Sequence, residues 1–326
     1  MSVTLQDIAD ICNLSRPTVS RALRDDPLIN IKTREKIQKV AAQLEYQPNL
    51  IAASLRNSKS NTIWLVLESL RDVLDREIVQ HATNYLAEKG YDTVAAFHME
   101  NEERYVRITN RLFQGVADGA LIIPRRLGVD FEVLRKIPLR KYPAVLMDVD
   151  VEGLGLPLVT TDNNGAAREL VSEAKKLGCN NFILLHHLPN LVASQRRDAC
   201  VSEIEKFGKW TCAQNISKEY FAAMPKDKPI AIIADAQSDI LSFAEQWRSL
   251  LSGRKNVFCC FDEWIGDPTP ARTVLVSIQD CEGIAKAAVD ILLETLSKKG
   301  SPSKKGPRRI VKLKRRELKI VGRLHE

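Results

Sequence analysis

Arg16, Pro17, Ser20, Arg21 and Arg24 recur at spacings that put them on one side of a helix, with Ser15 and Thr18 at its start. Guanidinium groups so arranged can take both acceptors of a guanine edge, and the hydroxyls can hold backbone phosphates. The chemistry on offer is therefore nucleic-acid reading in a major groove. A solvated face of a small helical bundle carries the same residue types, so the neighbouring elements decide. Val19, Ala22 and Leu23 fall on the opposite side and are spaced to pack inward. Upstream, Thr4 and Asp7 make a capping-box pattern for a helix whose Leu5, Ile8, Ala9 and Cys12 form one apolar face. Asn13 suits a left-handed turn between the two helices, and Ser15 is the natural N-cap of the second. Pro17 is tolerated there because first-turn N–H groups have no intrahelical partner. A third helix is expected from Asn30, with Ile37, Val40, Ala41 and Leu44 inward. After Tyr46-Gln47-Pro48 comes an alanine-rich stretch, Asn49–Arg56, of about two turns. A helix that short is marginal alone in water and is expected to fold only when packed, for instance on its copy from a second subunit over DNA.

The run from Val3 to about Ser60 resembles the DNA-binding headpiece and hinge of the lactose-repressor (LacI/GalR) family. The resemblance rests on Thr4-Leu5-Gln6-Asp7-Ile8-Ala9, Thr18-Val19-Ser20-Arg21, Lys32-Thr33-Arg34-Glu35-Lys36-Ile37, Tyr46-Gln47-Pro48-Asn49 and Ala52-Ala53-Ser54-Leu55, at matching spacing without a gap. It implies a helix-turn-helix headpiece over residues 1–48, a hinge helix and linker over 49–60, and a two-lobed effector-binding and dimerisation core over 61–326. It places Arg16, Pro17 and Arg21 at base-reading positions beside Thr18, and Thr4, Ser15, Ser20 and Asn30 at phosphate-side or capping positions. Ala52, Leu55 and Arg56 fall to the hinge, where Leu55 takes the place of a leucine that wedges into the minor groove and kinks the central step. Pro17 offers a base no hydrogen bond, so selectivity there is expected from apolar contact such as a thymine methyl.

A chain of 326 residues is too long for one ordinary domain. With 44% hydrophobic and 27% charged residues it reads as an ordinary globular protein. No apolar run approaches a membrane span and no charged-then-apolar leader opens the sequence, so a cytoplasmic protein without membrane contact is expected. Seven cysteines, an odd and scattered set without CxxC pairs, fit reduced thiols better than a disulfide framework or a zinc site. The net charge of +7 is concentrated at the C-terminal end: residues 298–326 carry twelve Lys/Arg against Glu317 and Glu326, leaving −3 for the rest. Residues 1–60 carry nine against six, enough for phosphate contacts. The basic C-terminal segment reads as a charged edge strand that blocks sheet-to-sheet aggregation, with a second DNA contact as the other reading.

From Thr62 onward apolar runs alternate with amphipathic ones. Strands are expected at 63–67, 94–97, 120–123, 144–147, 182–185, 230–234, 257–261 and 273–278, and helices near 74–89, 102–115, 164–177, 195–207, 237–252 and 281–297. Gly90 and Gly178 stand at helix ends. This alternation predicts α/β architecture, with doubly wound parallel sheets in two lobes facing each other across a cleft. The N-lobe is expected over about 61–160 plus 281–310, and the C-lobe over about 161–280 plus the C-terminal strand. The segment is similar to the family's periplasmic-binding-protein-like core at Val116–Ile122, Pro143–Asp148, Val159–Asn163, Leu177-Gly178 and Phe261-Asp262-Glu263. That similarity implies Asp148, Arg197 and Asp262 as effector-binding residues, with an interlobe salt bridge that holds no ligand as the equal alternative. The usual aromatic segment after the first strand is replaced by Asp72-Val73-Leu74-Asp75, the usual Asn-Asp pair by Ala236-Gln237, and a common glycine pair by His186-His187. These changes remove much of a saccharide grip. With Arg71, Arg76, His186 and Arg197 available, they lead to an expectation of an anionic effector, or of none. Adjacent His186 and His187 on a strand point to opposite faces, so no metal is expected.

No nucleophile elbow, P-loop or dinucleotide fingerprint is present, so neither catalysis nor a cofactor is expected. The expectation is a homodimeric, sequence-specific transcriptional regulator of the repressor type. It would bind a pseudo-palindromic operator in double-stranded DNA under control of a small-molecule effector such as a sugar or sugar derivative. A solute-binding receptor or an enzyme on the same fold, or a ligand-independent regulator, are the alternatives.

Overall fold

The computed structural model describes residues 3–47, 59–125, 129–185, 191–224, 226–262, 264–265, 273–297, 309–314 and 317–321. The chain divides into two units, Met1–Ser60 and Asn61–Glu326. The hinge positions Ala52, Leu55 and Arg56 lie outside the described residues, as do His186 and His187.

In the first unit, helices α1 (Leu5–Cys12), α2 (Arg16–Ala22) and α3 (Ile31–Gln43) close on Ile8, Val19, Ala22 and Ile37, all fully buried. Each helix starts on a side-chain cap. Thr4 and Asp7 form a reciprocal capping box, Ser15 accepts from the Thr18 N–H, and Asn30 accepts from the Lys32 N–H. Asn13 takes the left-handed conformation, with φ 58°, that the tight turn after α1 requires.

The second unit begins β1 (Thr62–Leu67), α4 (Val73–Glu88), β2 (Asp92–Phe97), α5 (Glu102–Arg111), β3 (Gly119–Ile122), α6 (Val129–Leu134), α7 (Lys136–Leu139), β4 (Ala144–Met147) and β5 (Leu158–Thr161). It then crosses to a second lobe of α8 (Asn163–Lys176), β6 (Asn181–Leu185), α9 (Leu191–Ile204), β7 (Lys209–Cys212), α10 (Lys218–Ala223), β8 (Ile230–Ala234), α11 (Gln237–Gln246), α12 (Arg248–Leu251), β9 (Asn256–Phe261) and β10 (Thr273–Ile278). The chain returns for α13 (Cys281–Ser297) and β11 (Ile310–Leu313), and crosses once more for β12 (Glu317–Val321). The sheets run β2-β1-β3-β4-β5-β11 and β7-β6-β8-β9-β10-β12, so their first five strands have the same order. All pairings are parallel except β10–β12. Strands β3, β4 and β9 are buried throughout, as continuous apolar runs must be when helices cover both faces.

Several elements differ from the periodicity reading. The helix expected over 102–115 stops at Arg111 and becomes a π-type turn, Leu112–Val116, because Gly115 sits at φ 75°. The helix expected over 237–252 breaks at Trp247, and that expected over 195–207 starts earlier, at Leu191. Short β7, α6, α7 and α10 carried too little pattern to be read. Cysteines far apart in sequence meet in space: Cys179, Cys200 and Cys259 share one apolar cluster, and burial pushes the thiols of Cys179 and Cys200 up to about 12. All seven cysteines are free.

Candidate functional site

In the first unit the outer face of α2 is built by subtraction. Val19 and Ala22 are buried, which leaves Arg16, Pro17 and Arg21 exposed on the other side with Ser20 half-buried among them. Ser15 and Thr18 share a hydroxyl hydrogen bond of 2.8 Å at the helix start, and Arg24 donates back to the Ser20 hydroxyl at 2.7 Å. Arg21 lies 3.9 Å from Asp26, an exposed pairing too weak to hold it away from a stronger anion. Thr4, Ser15 and Asn30 have structural duties as caps, and each also stands at an N-terminus whose backbone N–H groups favour phosphate. The arrangement can present two guanidiniums and an apolar ring to base edges from a helix fixed on a closed core.

In the second unit, strand C-termini of the two lobes face a cleft, and each lobe places a carboxylate at the same topological position. Asp148 follows β4 and Asp262 follows β9, and both sit in the left-handed region, at φ 64° and 73°. Such a conformation is costly for a residue with a side chain and clusters at sites where direction matters. Each carboxylate belongs to a triad within its own lobe. Arg125, three residues beyond β3, donates to Asp148 at 2.8 Å and to Asp75 of α4 at 2.7 Å. Burial opposes the charge of Arg125, but Asp148 and Asp75 together hold its pKa above the ordinary range. Burial raises the Asp75 carboxyl, against the pull of Arg125. In the other lobe Arg196 of α9 lies over the Phe261 ring, 4.2 Å from its centroid. It donates to Asn163 at 3.0 Å and Asp235 at 3.3 Å, and approaches Asp262 at 3.8 Å. Polarity is exchanged between the lobes: the helix supplies the acid in one and the arginine in the other.

Gln279 ties these groups to the lobe crossings. It lies just past β10, its amide N–H donates to Asp262, and its carbonyl accepts from the Thr161 hydroxyl at the end of β5. Burial first, then the negative charges of Asp72 and Asp148, push the Asp262 carboxyl up to about 6, against Arg196 and Gln279.

The structure thus brings Asp148 and Asp262 to one cleft but not Arg197. Arg197 points to the surface, where its guanidinium pairs with the adjacent Asp198 at 2.9 Å. The arginine that reaches Asp262 is Arg196, because Val192, Ala193, Arg196, Ala199 and Cys200 form the buried stripe of α9 and Arg197 lies about 100° around the helix. That stripe was present in the sequence. Arg125 and Asp75 were also missed, although a basic residue just past an apolar strand, beside a strand ending in Asp148, was a usable signal. Gln237 holds a loop, exchanging two hydrogen bonds with the backbone of Ile265. Of the arginines expected to greet an anion, Arg76 donates to the carbonyls of Leu70 and Arg71 and Arg197 pairs with Asp198, while the two arginines that do reach the cleft carboxylates, Arg125 and Arg196, each face two of them. Among the described residues no His/Cys/Asp/Glu group could hold a metal, and no helix is long and apolar enough to cross a membrane.

Residues 4–49 match the family model described as bacterial regulatory proteins, lacI family. RegA, an HTH-type transcriptional regulator of Clostridium acetobutylicum, is 27% identical over 183 residues, 55% of this chain and 53% of its own. ExuR of Bacillus subtilis, a probable HTH-type transcriptional repressor, is 25% identical over 198 residues, 60% of this chain and 58% of its own. The chain therefore spans somewhat over half the length of these curated relatives. Among solved structures, the Lac repressor dimer bound to operator and the anti-inducer ONPF superposes with a TM-score of 0.76 at 20% identity, covering 98% of both chains.

Proposed function

We propose that this chain, whose residues 4–49 match the model of the lacI family of bacterial regulatory proteins, is a member of that family and a sequence-specific DNA-binding transcriptional regulator of the repressor type. The observation that carries the reading is the α2 face: Arg16, Pro17 and Arg21 stand exposed on a capped helix whose opposite side is locked into a three-helix core. A homodimer would read two half-sites of a pseudo-palindromic operator, one with each headpiece. The two-lobed core would act as the sensor, with a small polar effector bound near Asp148 and Asp262 and with Arg196 in the role first assigned to Arg197. A ligand that prefers one lobe arrangement would shift whether the paired hinges, through Ala52, Leu55 and Arg56, engage DNA. Thr4, Ser15, Thr18, Ser20 and Asn30 would serve the phosphate side. The protein would work in the cytoplasm, without catalysis or cofactor.

The test is selection of duplexes from a random library on the full chain, followed by titration at moderate salt. A symmetric site should emerge and bind far more tightly than random duplex. Arg21→Ala should weaken that site by about 1–3 kcal/mol and relax selectivity at the same base pair in each half. Equal affinity for selected and random DNA would refute the reading.

A further inference from the structure

Between the lobes, beside Asp262, lies a cavity of about 260 Å³ walled by α4, the start of α13, and the β10–β12 edge. That size is below the range of drug-sized pockets and suits a small metabolite. Val73, Leu74, Val276, Ile278 and Val321 give it apolar walls, and the Trp264 side chain adds an aromatic one. Its charged lining is mainly acidic: Glu77, Asp262 and Glu282, against His81 and Lys319. Glu77 has His81 at 3.7 Å, and Glu282 accepts from Lys286 at 2.8 Å. Asp262 is different. The Gln279 amide and the distant Arg196 both address its Oδ1, and no partner for Oδ2 is found among the described residues. Trp264 is only 8% exposed and its Nε1 is buried, so it offers the cavity its ring and not its N–H.

We infer that this cavity binds a small amine, its ammonium on Asp262 Oδ2. The inference rests on reading the core as a sensor, and it names the ligand class. An ammonium beside Oδ2 supplies a charge that Arg196, shared among three partners, gives only at 3.8 Å. The aromatic wall adds cation–π attraction. Burial is the main cause of the raised Asp262 carboxyl, and the negative charges of Asp72 and Asp148 add to it, so a cation beside Oδ2 is favoured. An anion would meet the opposite field.

The experiment is calorimetric titration of the full chain with glucosamine and galactosamine, against glucose, N-acetylglucosamine and glucuronate as controls that lack the amine, mask it or reverse the charge. Binding by the amino sugars alone is expected. Asp262→Asn should weaken it about tenfold or more, and Trp264→Leu, which removes the aromatic wall, about two- to fivefold. No heat from either amine, or equal binding of N-acetylglucosamine, glucose or glucuronate, would overturn the inference. Operator binding measured in parallel separates the two ideas. Amine binding without selective DNA binding would refute the regulator and leave the cavity assignment standing.

Discussion

Asp262 takes a proton more readily in the folded protein than in the unfolded chain, from the ordinary 3.8 up to about 6. A raised pKa means the folded state binds the proton more tightly. The associated stability is therefore fully present below about pH 4 and lost as pH rises toward 6. With the side chain 23% exposed, the effect should be on the order of 2 kcal/mol. Urea denaturation of wild type and Asp262→Asn across pH 4–7 should give a difference that changes within that window, and parallel curves would count against the shift. At this scale the sequence was only partly readable. Asp148 and Asp262 could be placed because they end apolar strands, where topology fixes direction. Arg125 and Arg196 left signals in the sequence, but their roles were not assigned because the partner that recruits each guanidinium comes from an element distant in sequence.

Helix α9 shows what one position on an element is worth. Arg196 and Arg197 are neighbours in sequence, but the buried stripe claims the first and solvent keeps the second. Arg196→Ala would leave Asp235, Asp262 and Asn163 without their shared donor, a loss of about 3–5 kcal/mol as for other broken buried ion pairs. Arg197→Ala removes an exposed contact and should change stability by no more than about 0.5 kcal/mol. Thermal and urea unfolding of the two variants provide the comparison, and a reversed order would put the cleft arginine back at 197. Long elements with clean periodicity, such as α4, α8 and α13, were legible from apolar spacing. Elements of four to six residues, such as β7, α7 and α10, hold too few positions for a period to register, and tertiary packing decides them.

At the scale of the molecule, the headpiece was the most readable part because it is local: caps, turn and core all lie within residues 4–44. The hinge proposed over residues 49–60 is a test of coupling. Leu55→Ala should reduce operator bending and affinity while the core stays folded, and electrophoresis of operator fragments carrying the site at permuted positions reads the bend. The core has the contrary design, and its three crossings have a consequence for synthesis. Helix α13 packs into the first lobe against Ile63, Leu74 and Leu121, and β11 closes the edge of that lobe's sheet, while β12 closes the other. Neither lobe is contiguous in sequence. The headpiece can fold as soon as it leaves the ribosome, whereas the first lobe, although made earlier than the second, must wait for its last helix. A chain arrested after residue 280 should carry a protease-resistant headpiece and a protease-sensitive first lobe, and release of α13 and the strands after it should convert that lobe to a resistant form in one step. During translation, then, the three-helix unit is finished long before the two-lobed one.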